Sequence, residues 1–215
     1  NIYIINYNLK NTRSMQSIIY YLLNKIFMNE VEEEILKYSS KGDKIVFDIG
    51  CFRGGFTKNF IKNEKKLGME STFFLFDPNP ITKDYLKSIL QNEKIKYFNL
   101  ALDNSNSQKK FYLNNFFEPS GSSLNTTFRD DKKWKNTRKI FMQILQPFKK
   151  IEDFSEINVQ TQTLDNFCLE EKINNIDVLK IDTEGNELNV LRGAEGLLTK
   201  NKIKLIYVEI SESKN

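Results

Sequence analysis

The amino-acid sequence predicts an α/β fold, a mainly parallel sheet with helices on both faces, and three observations lead there. Short apolar runs of strand length recur at 44–49, 72–76, 95–102, 176–181 and 203–210. Most are separated by stretches with one apolar side at helical spacing, and such alternation calls for parallel strands buried on both faces. Two of the runs, KIVFDIG (44–50) and IDVLKID (176–182), pass straight into polar turns and then into helix. In open α/β sheets, ligands bind at those carboxyl ends.

Taken in order, residues 1–40 read as an N-terminal helical segment packed on the domain. The run SIIYYLLNKIFM (17–28) continues into Val31, Ile35 and Leu36 with amphipathic spacing. It is shorter than the ~20 apolar residues of a membrane span and is broken by Lys25, so no transmembrane segment is expected. Residues 41–215 form the main domain. The strand at 44–49 leads into a helix carrying Phe56, Phe60 and Ile61, and after 72–76 Asn79 and Pro80 start a helix striped with Ile81, Tyr85, Leu86, Ile89 and Leu90. From about 104 to 160 the pattern loosens into an insertion. Within it FYL (111–113) and INVQTQTL (157–164) are expected to add strands at the mouth of the crevice, and Arg129–Lys150 a basic flap bearing Trp134, Ile140 and Phe141. Beyond the strand at 176–181, Leu188, Leu191, Ala194, Leu197 and Leu198 form one helical stripe. The sequence ends five residues after the fifth strand, whose outer side is therefore expected to be an open edge.

Composition removes several function classes. At 215 residues and 40% apolar content the chain is long enough for one well-cored domain. The chain contains no histidine, so Ser-His-Asp hydrolysis, Cys-His catalysis and His-bearing zinc sites are excluded. Two cysteines make neither a disulfide framework nor a metal motif; no metal is expected, and a reducing, cytoplasmic setting fits them. The net charge of +4 is concentrated in the basic flap, which argues against a broad nucleic-acid face.

The chemistry-bearing residues cluster at the strand ends. In Asp48-Ile-Gly50-Cys51-Phe52-Arg-Gly54 the glycines allow a tight turn and close approach to a ligand. A dinucleotide fingerprint would place glycine at 52, where Phe52 stands, which counts against nicotinamide and flavin cofactors. In FLFDPNP, Asp77, followed by Pro78, sits where a carboxylate accepts both hydrogens of a ribose diol; a simple turn before Pro78 is the competing reading. Leu102 and Asp103 end the third strand, either flanking a base or merely forming an Asx turn. The turn after 181 gathers Asp182, Glu184 and Glu187, which suits a hydroxyl substrate or a cation; acids in a helix's first turn also complement its dipole. Lys180, inward-facing in a buried strand, is expected to neutralise nearby acid. Ser122 and Ser123 read equally as substrate contacts or turn residues.

Asp-Ile-Gly-x-x-x-Gly, Phe-Asp-Pro-Asn-Pro, Ala-Leu-Asp, Thr163-Leu164-Asp165 and Lys180-Ile-Asp182-Thr-Glu184-Gly-Asn-Glu187, with Leu191-Arg-Gly193-Ala194 behind, resemble the FkbM family of S-adenosylmethionine-dependent methyltransferases across roughly residues 44–210. The resemblance implies a class I methyltransferase (Rossmann-like) fold with a seven-stranded sheet. It further implies methyl transfer from S-adenosylmethionine to an oxygen of a sugar, glycan or other small-molecule acceptor. Carried over, Asp48, Gly50 and Gly54, with Cys51 and Phe52 between them, face the methionine part, Asp77 and Pro78 the ribose, Leu102 and Asp103 the adenine. Asp182 and Glu184 then sit by the transferred methyl as the candidate catalytic acids, Asp182 as the first choice of base. The chain departs from the family pattern at Gly50-Cys51-Phe52, where Gly-Ala-Asn is usual, and at Asp77, where Glu is usual. It departs again in lacking a C-terminal strand hairpin, which implies a fragment. Two alternatives stay open: Mg²⁺ held by Asp182, Glu184 and Glu209, and a non-catalytic module that binds a nucleoside or a partner.

Overall fold

The computed structural model describes residues 3–8, 32–33, 35–37, 42–114, 122–124 and 154–210. Its main sheet runs in the order β1 (Tyr3–Asn8), β9 (Ile203–Ile210), β8 (Ile176–Ile181), β2 (Ile45–Ile49), β3 (Thr72–Phe76), β4 (Ile95–Phe98), with every pairing parallel. The order reverses between β2 and β8, so the tips of Ile49 and Ile181, paired neighbours, flank the crevice where such sheets bind ligands. A second, three-stranded sheet joins β5 (Ala101–Leu102) to two strands from the insertion, β7 (Phe154–Gln162) and β6 (Ser107–Asn114).

Alternation within the buried strands divides the core in two. Phe47, Phe74, Phe76 and Phe98 turn to one face, where Phe167 of α3 (Leu164–Glu170) meets Phe76 and Phe98 edge-on at 4.7 and 4.8 Å. Val46, Phe73, Leu75, Val178 and Leu205 turn to the other, under Phe56 and Phe60 of α1 (Gly55–Lys66) and under Ile35 and Leu36. Each of these side chains contributes about 1.5–3 kcal/mol by burial, and edge-on aromatic pairs add to that.

Five sequence expectations are corrected. Residues 3–8 are a strand rather than part of an N-terminal helix, though residues 32–33 and 35–37 are helical. The outer edge of β9 is not open: β1 lies along it from Tyr3↔Leu205 to Asn8↔Ile210. The run 95–102 is two strands, because β5 leaves the main sheet to pair with β7. The helix after Pro80 shrinks to α2 (Thr82–Leu86), leaving Ile81 and Tyr85 partly in solvent. The stripe from 188 to 198 is broken into α4 (Glu187–Arg192) and α5 (Glu195–Thr199), and Leu188 is 60% exposed. The apolar run 17–28 and the basic flap at 129–150 lie outside the described residues. Among the described residues no helix is long and apolar enough to cross a membrane.

Candidate active site

Close backbone packing forms the floor of the site. β2 and β8 are in register through Ile49↔Ile181, and the Asp182 amide donates to the Ile49 carbonyl at 3.0 Å, which brings the Asp182 backbone against Gly50. A Cβ on Gly50, at φ +75°, would lie 1.7 Å from the Asp182 carbonyl oxygen. The Gly50 and Cys51 amides both donate to the Phe76 carbonyl, at 2.9 and 3.1 Å, folding the loop onto β3. Phe52 follows in the left-handed region (φ +40°), and its amide donates to Asp77 Oδ2 at 2.8 Å while the Asn79 amide donates to Oδ1 at 2.8 Å. Asp77 is thereby aimed by two loops. Burial pushes its carboxyl up to about 6 despite those amides. The Phe52 ring does not plug the bend: it lies edge-on to Tyr85 at 5.6 Å, with the Arg53 guanidinium over both rings.

The acidic corner is organised by one cation. Lys180 Nζ sits 3.0 Å from Asp48 Oδ1 and 3.4 Å from Asp182 Oδ2, and donates to the Gly50 carbonyl at 3.0 Å. Burial opposes its charge, but Asp48 and Asp182 hold it protonated, above the ordinary lysine value. The Thr57 hydroxyl completes the Asp48 shell by donating to Oδ2 at 2.7 Å. Beyond Asp182, Glu187 reaches back along the turn: its Oε1 accepts from the Thr183 amide, the Thr183 hydroxyl and the Gly185 amide at 2.9–3.1 Å. From outside, the Ser123 hydroxyl meets the carbonyls of Thr183 and Glu184 at 3.1 and 2.9 Å. Burial raises the Asp182 carboxyl, with Lys180 pulling it down and Asp48 and Glu187 pushing it up. Burial, then the charges of Asp182, Glu209 and Glu187, pushes Glu184 up to about 7; burial and Asp182 do the same for Glu209.

These parts surround one solvent-open cleft. Of the residues singled out from sequence, Gly50, Phe52, Asp77, Pro78, Leu102, Asp182, Glu184 and Ser122 line it. Four do not. Asp48 is spent on Lys180 and Thr57; Cys51 is buried, with burial pushing its thiol far up; Gly54 is the N-cap position of α1, where a Cβ would meet Leu86 Cδ2 at 2.6 Å. Asp103 is ion-paired to Lys109 of β6 and approached by the Asn186 amide at 3.4 Å. Sequence reasoning missed Leu100, Phe111, Leu124, Thr183 and Asn186, all on the cleft wall. Thr183 and Asn186, within the acidic turn, carried a local signal; Phe111 and Leu124 arrive through the insertion. Among the described residues, no three carboxyl or thiol side chains converge closely enough to share a metal ion.

Residues 48–215 match the Methyltransferase FkbM domain. The chain belongs to the FkbM methyltransferase family. It is 25% identical over 190 residues to the 2-O-methyltransferase NoeI of Sinorhizobium fredii (strain NBRC 101917 / NGR234), covering 85% of this chain and 70% of that protein. It also superposes on the crystal structure of Methyltransferase FkbM from Methylobacillus flagellatus KT with a TM-score of 0.47 at 15% identity, over 79% of this chain and 34% of that one.

Several residues of the FkbM pattern are architectural here. Thr163 caps α3 by accepting from the Asn166 amide, and Asp165 accepts from the Gly196 and Leu197 amides at 2.7 and 2.9 Å, capping α5. Gly193 lies so near Asp103 that a Cβ would fall 2.1 Å from its carbonyl oxygen. These contacts lock the helix α3 and the α4–α5 corner against β5, one wall of the cleft.

Proposed function

We propose that this FkbM-family chain is an S-adenosylmethionine-dependent O-methyltransferase acting on a hydroxyl of a sugar, glycan or other small molecule. The observation that carries the reading is the sequence of surfaces along one cleft: Leu100, Leu102, Phe111 and Leu124 make an apolar pocket, Asp77 stands at the next strand tip, then Gly50, then Asp182 and Glu184. An apolar base, a diol, a compact backbone approach and an acidic end match the parts of that cofactor and an acceptor hydroxyl in order. Asp77 fits the ribose, since each oxygen accepts one amide and keeps a lone pair for a hydroxyl. The name of the rhizobial relative supports transfer to oxygen.

When bound, S-adenosylmethionine supplies an activated methyl group on a sulfonium, so the protein's task is alignment and exclusion of water. Asp77 orients the ribose; Gly50 lets the backbone approach. Asp182, steadied by Lys180, orients the acceptor hydroxyl, and Asp182 or Glu184 takes its proton. With carboxyl groups outnumbering the one buried ammonium around this end, a neutral acceptor suits the cleft better than an anionic one.

One observation favours a binding module without turnover: the Asp103–Lys109 ion pair engages a carboxylate expected to meet the base. Calorimetric titration with S-adenosylmethionine, followed by mass spectrometry of neutral and acidic glycans incubated with labelled cofactor, separates the readings. Binding with label on a neutral glycan is expected. Asp77→Ala should weaken binding by about 10-fold or more, the scale of one lost charge-assisted contact. Absence of binding by the unsubstituted chain overturns the proposal, and binding without transfer to any glycan supports the module.

A further inference from the structure

We propose that Ser123 is a positioning residue for the acidic turn, and that the segment 122–124 ties the geometry of that turn to occupancy of the apolar end of the cleft. The inference rests on the cofactor reading above, but it concerns a different part of the chain.

The segment touches both ends of the cleft at once. Ser123 is 5% exposed, and its hydroxyl is shared between the Thr183 and Glu184 carbonyls, 60 and 61 residues away, at 3.1 and 2.9 Å. On either side of it, Ser122 and Leu124 line the cleft, and Leu124 packs against the small core of Ala101, Phe111 and Val159. The segment is fastened to β6 by reciprocal Tyr112–Ser123 backbone bonds of 3.0 and 3.2 Å, and by the Asn114 amide donating to Ser122 Oγ at 3.0 Å. Tyr112 directly follows Phe111, another wall of the apolar pocket.

The turn needs such a fixture. Glu184 has φ +54°, a left-handed conformation that side chains other than glycine adopt rarely and keep only when their surroundings enforce it. Glu187 holds the amides of the turn, and Ser123 holds its carbonyls. A single hydroxyl shared by two acceptors is sensitive to small displacements, because hydrogen bonds weaken steeply as angles close. A base seated against Leu124 and Phe111 therefore acts on Ser123 through its immediate neighbours, and through Ser123 on the backbone that carries Glu184. The device favours an acceptor-ready acidic end once the nucleoside is in place.

Hydrogen exchange tests this without knowledge of the acceptor, using the full chain and S-adenosylhomocysteine as the probe. In the unsubstituted protein, saturating probe should slow exchange at residues 183–187 as well as at 100–103, by about 10-fold or more if local opening is suppressed. Ser123→Ala should bind the probe with an affinity changed by less than about 3-fold, keep protection at 100–103 and lose it at 183–187, a split that linked local stabilities allow. Ser123→Thr should restore it. Leu124→Ala, which keeps the hydroxyl and trims the contact with the pocket, should also reduce the response of the turn; it serves if Ser123→Ala does not fold. Equal protection of 183–187 in Leu124→Ala or Ser123→Ala and the unsubstituted protein overturns the coupling. Absence of any probe binding by the unsubstituted chain overturns the cofactor reading, and the coupling with it.

Discussion

Lys180 is the single side chain on which the charge balance of the crevice turns. It lies within 3.0–3.4 Å of two carboxylates and a carbonyl, tying the end of β8 to the end of β2. Lys180→Met leaves Asp48 and Asp182 facing each other without a cation, and breaking a buried pair this way costs about 3–5 kcal/mol. Urea denaturation should register that loss; a change below about 1 kcal/mol would show that the acids relax into solvent. Glu184 offers a second reading at this scale. Its carboxyl, pushed up to about 7, must lose its proton to serve as a base, so transfer should rise as pH rises through about 7. If Glu184 is that base, Glu184→Gln removes this limb from the rate profile; persistence of the limb assigns it to another group, Asp182 first. The inward direction of Lys180 was legible from alternation in a buried strand. The fate of Asp103 was not, since its partner Lys109 comes from a β6 whose pairing no local spacing reveals.

Among the elements, the corner made by α3, α4 and α5 shows how much of a recognisable motif is joinery. Asp165 closes the amino end of α5 from another helix, so Asp165→Ala should cost about 1–2 kcal/mol of stability, as lost caps do. Its effect on cofactor affinity should stay within about 3-fold, measured by calorimetry, because the aspartate lies outside the cleft lining. A larger loss of affinity would place the α5 corner in the binding energetics. The paired strands of the insertion were legible from FYL, which lies in β6, and from INVQTQTL, whose first six residues lie in β7. The helices were less so. Periodicity runs the stripe through 188–198 unbroken, but α4 stops at Arg192, Gly193 packs against the Asp103 carbonyl, and α5 starts afresh at Glu195. The run 95–102 divides between two sheets, and strand propensity marks extended backbone without saying which sheet receives it.

For the whole molecule, acid groups held above their ordinary values set the response to pH. Asp77 is raised from 3.8 to about 6, and Glu32, Glu184 and Glu209 from 4.5 to about 7, burial being the largest cause in each. The native state therefore holds protons that the unfolded chain has already released. Their contribution to stability is full below the unfolded values and is lost as pH rises through about 7. Glu32, fully buried, gives the cleanest check: Glu32→Gln should raise stability at pH 8 by on the order of 2 kcal/mol and leave it nearly unchanged at pH 4, by denaturation at both. A gain at pH 4 as large as at pH 8 would assign the effect to packing. The existence of the main-sheet strands β2, β3, β4, β8 and β9 was within reach of the sequence, because each carries its own apolar run. β1 was not: Tyr3–Asn8 earns its place only by pairing with β9, at a separation of about 200 residues. That pairing has a kinetic corollary. β1 leaves the ribosome long before its partner strand exists, so it must wait undocked while the β2–β8 platform assembles. Closing so long a loop then makes docking of the amino-terminal strand a late event in maturation.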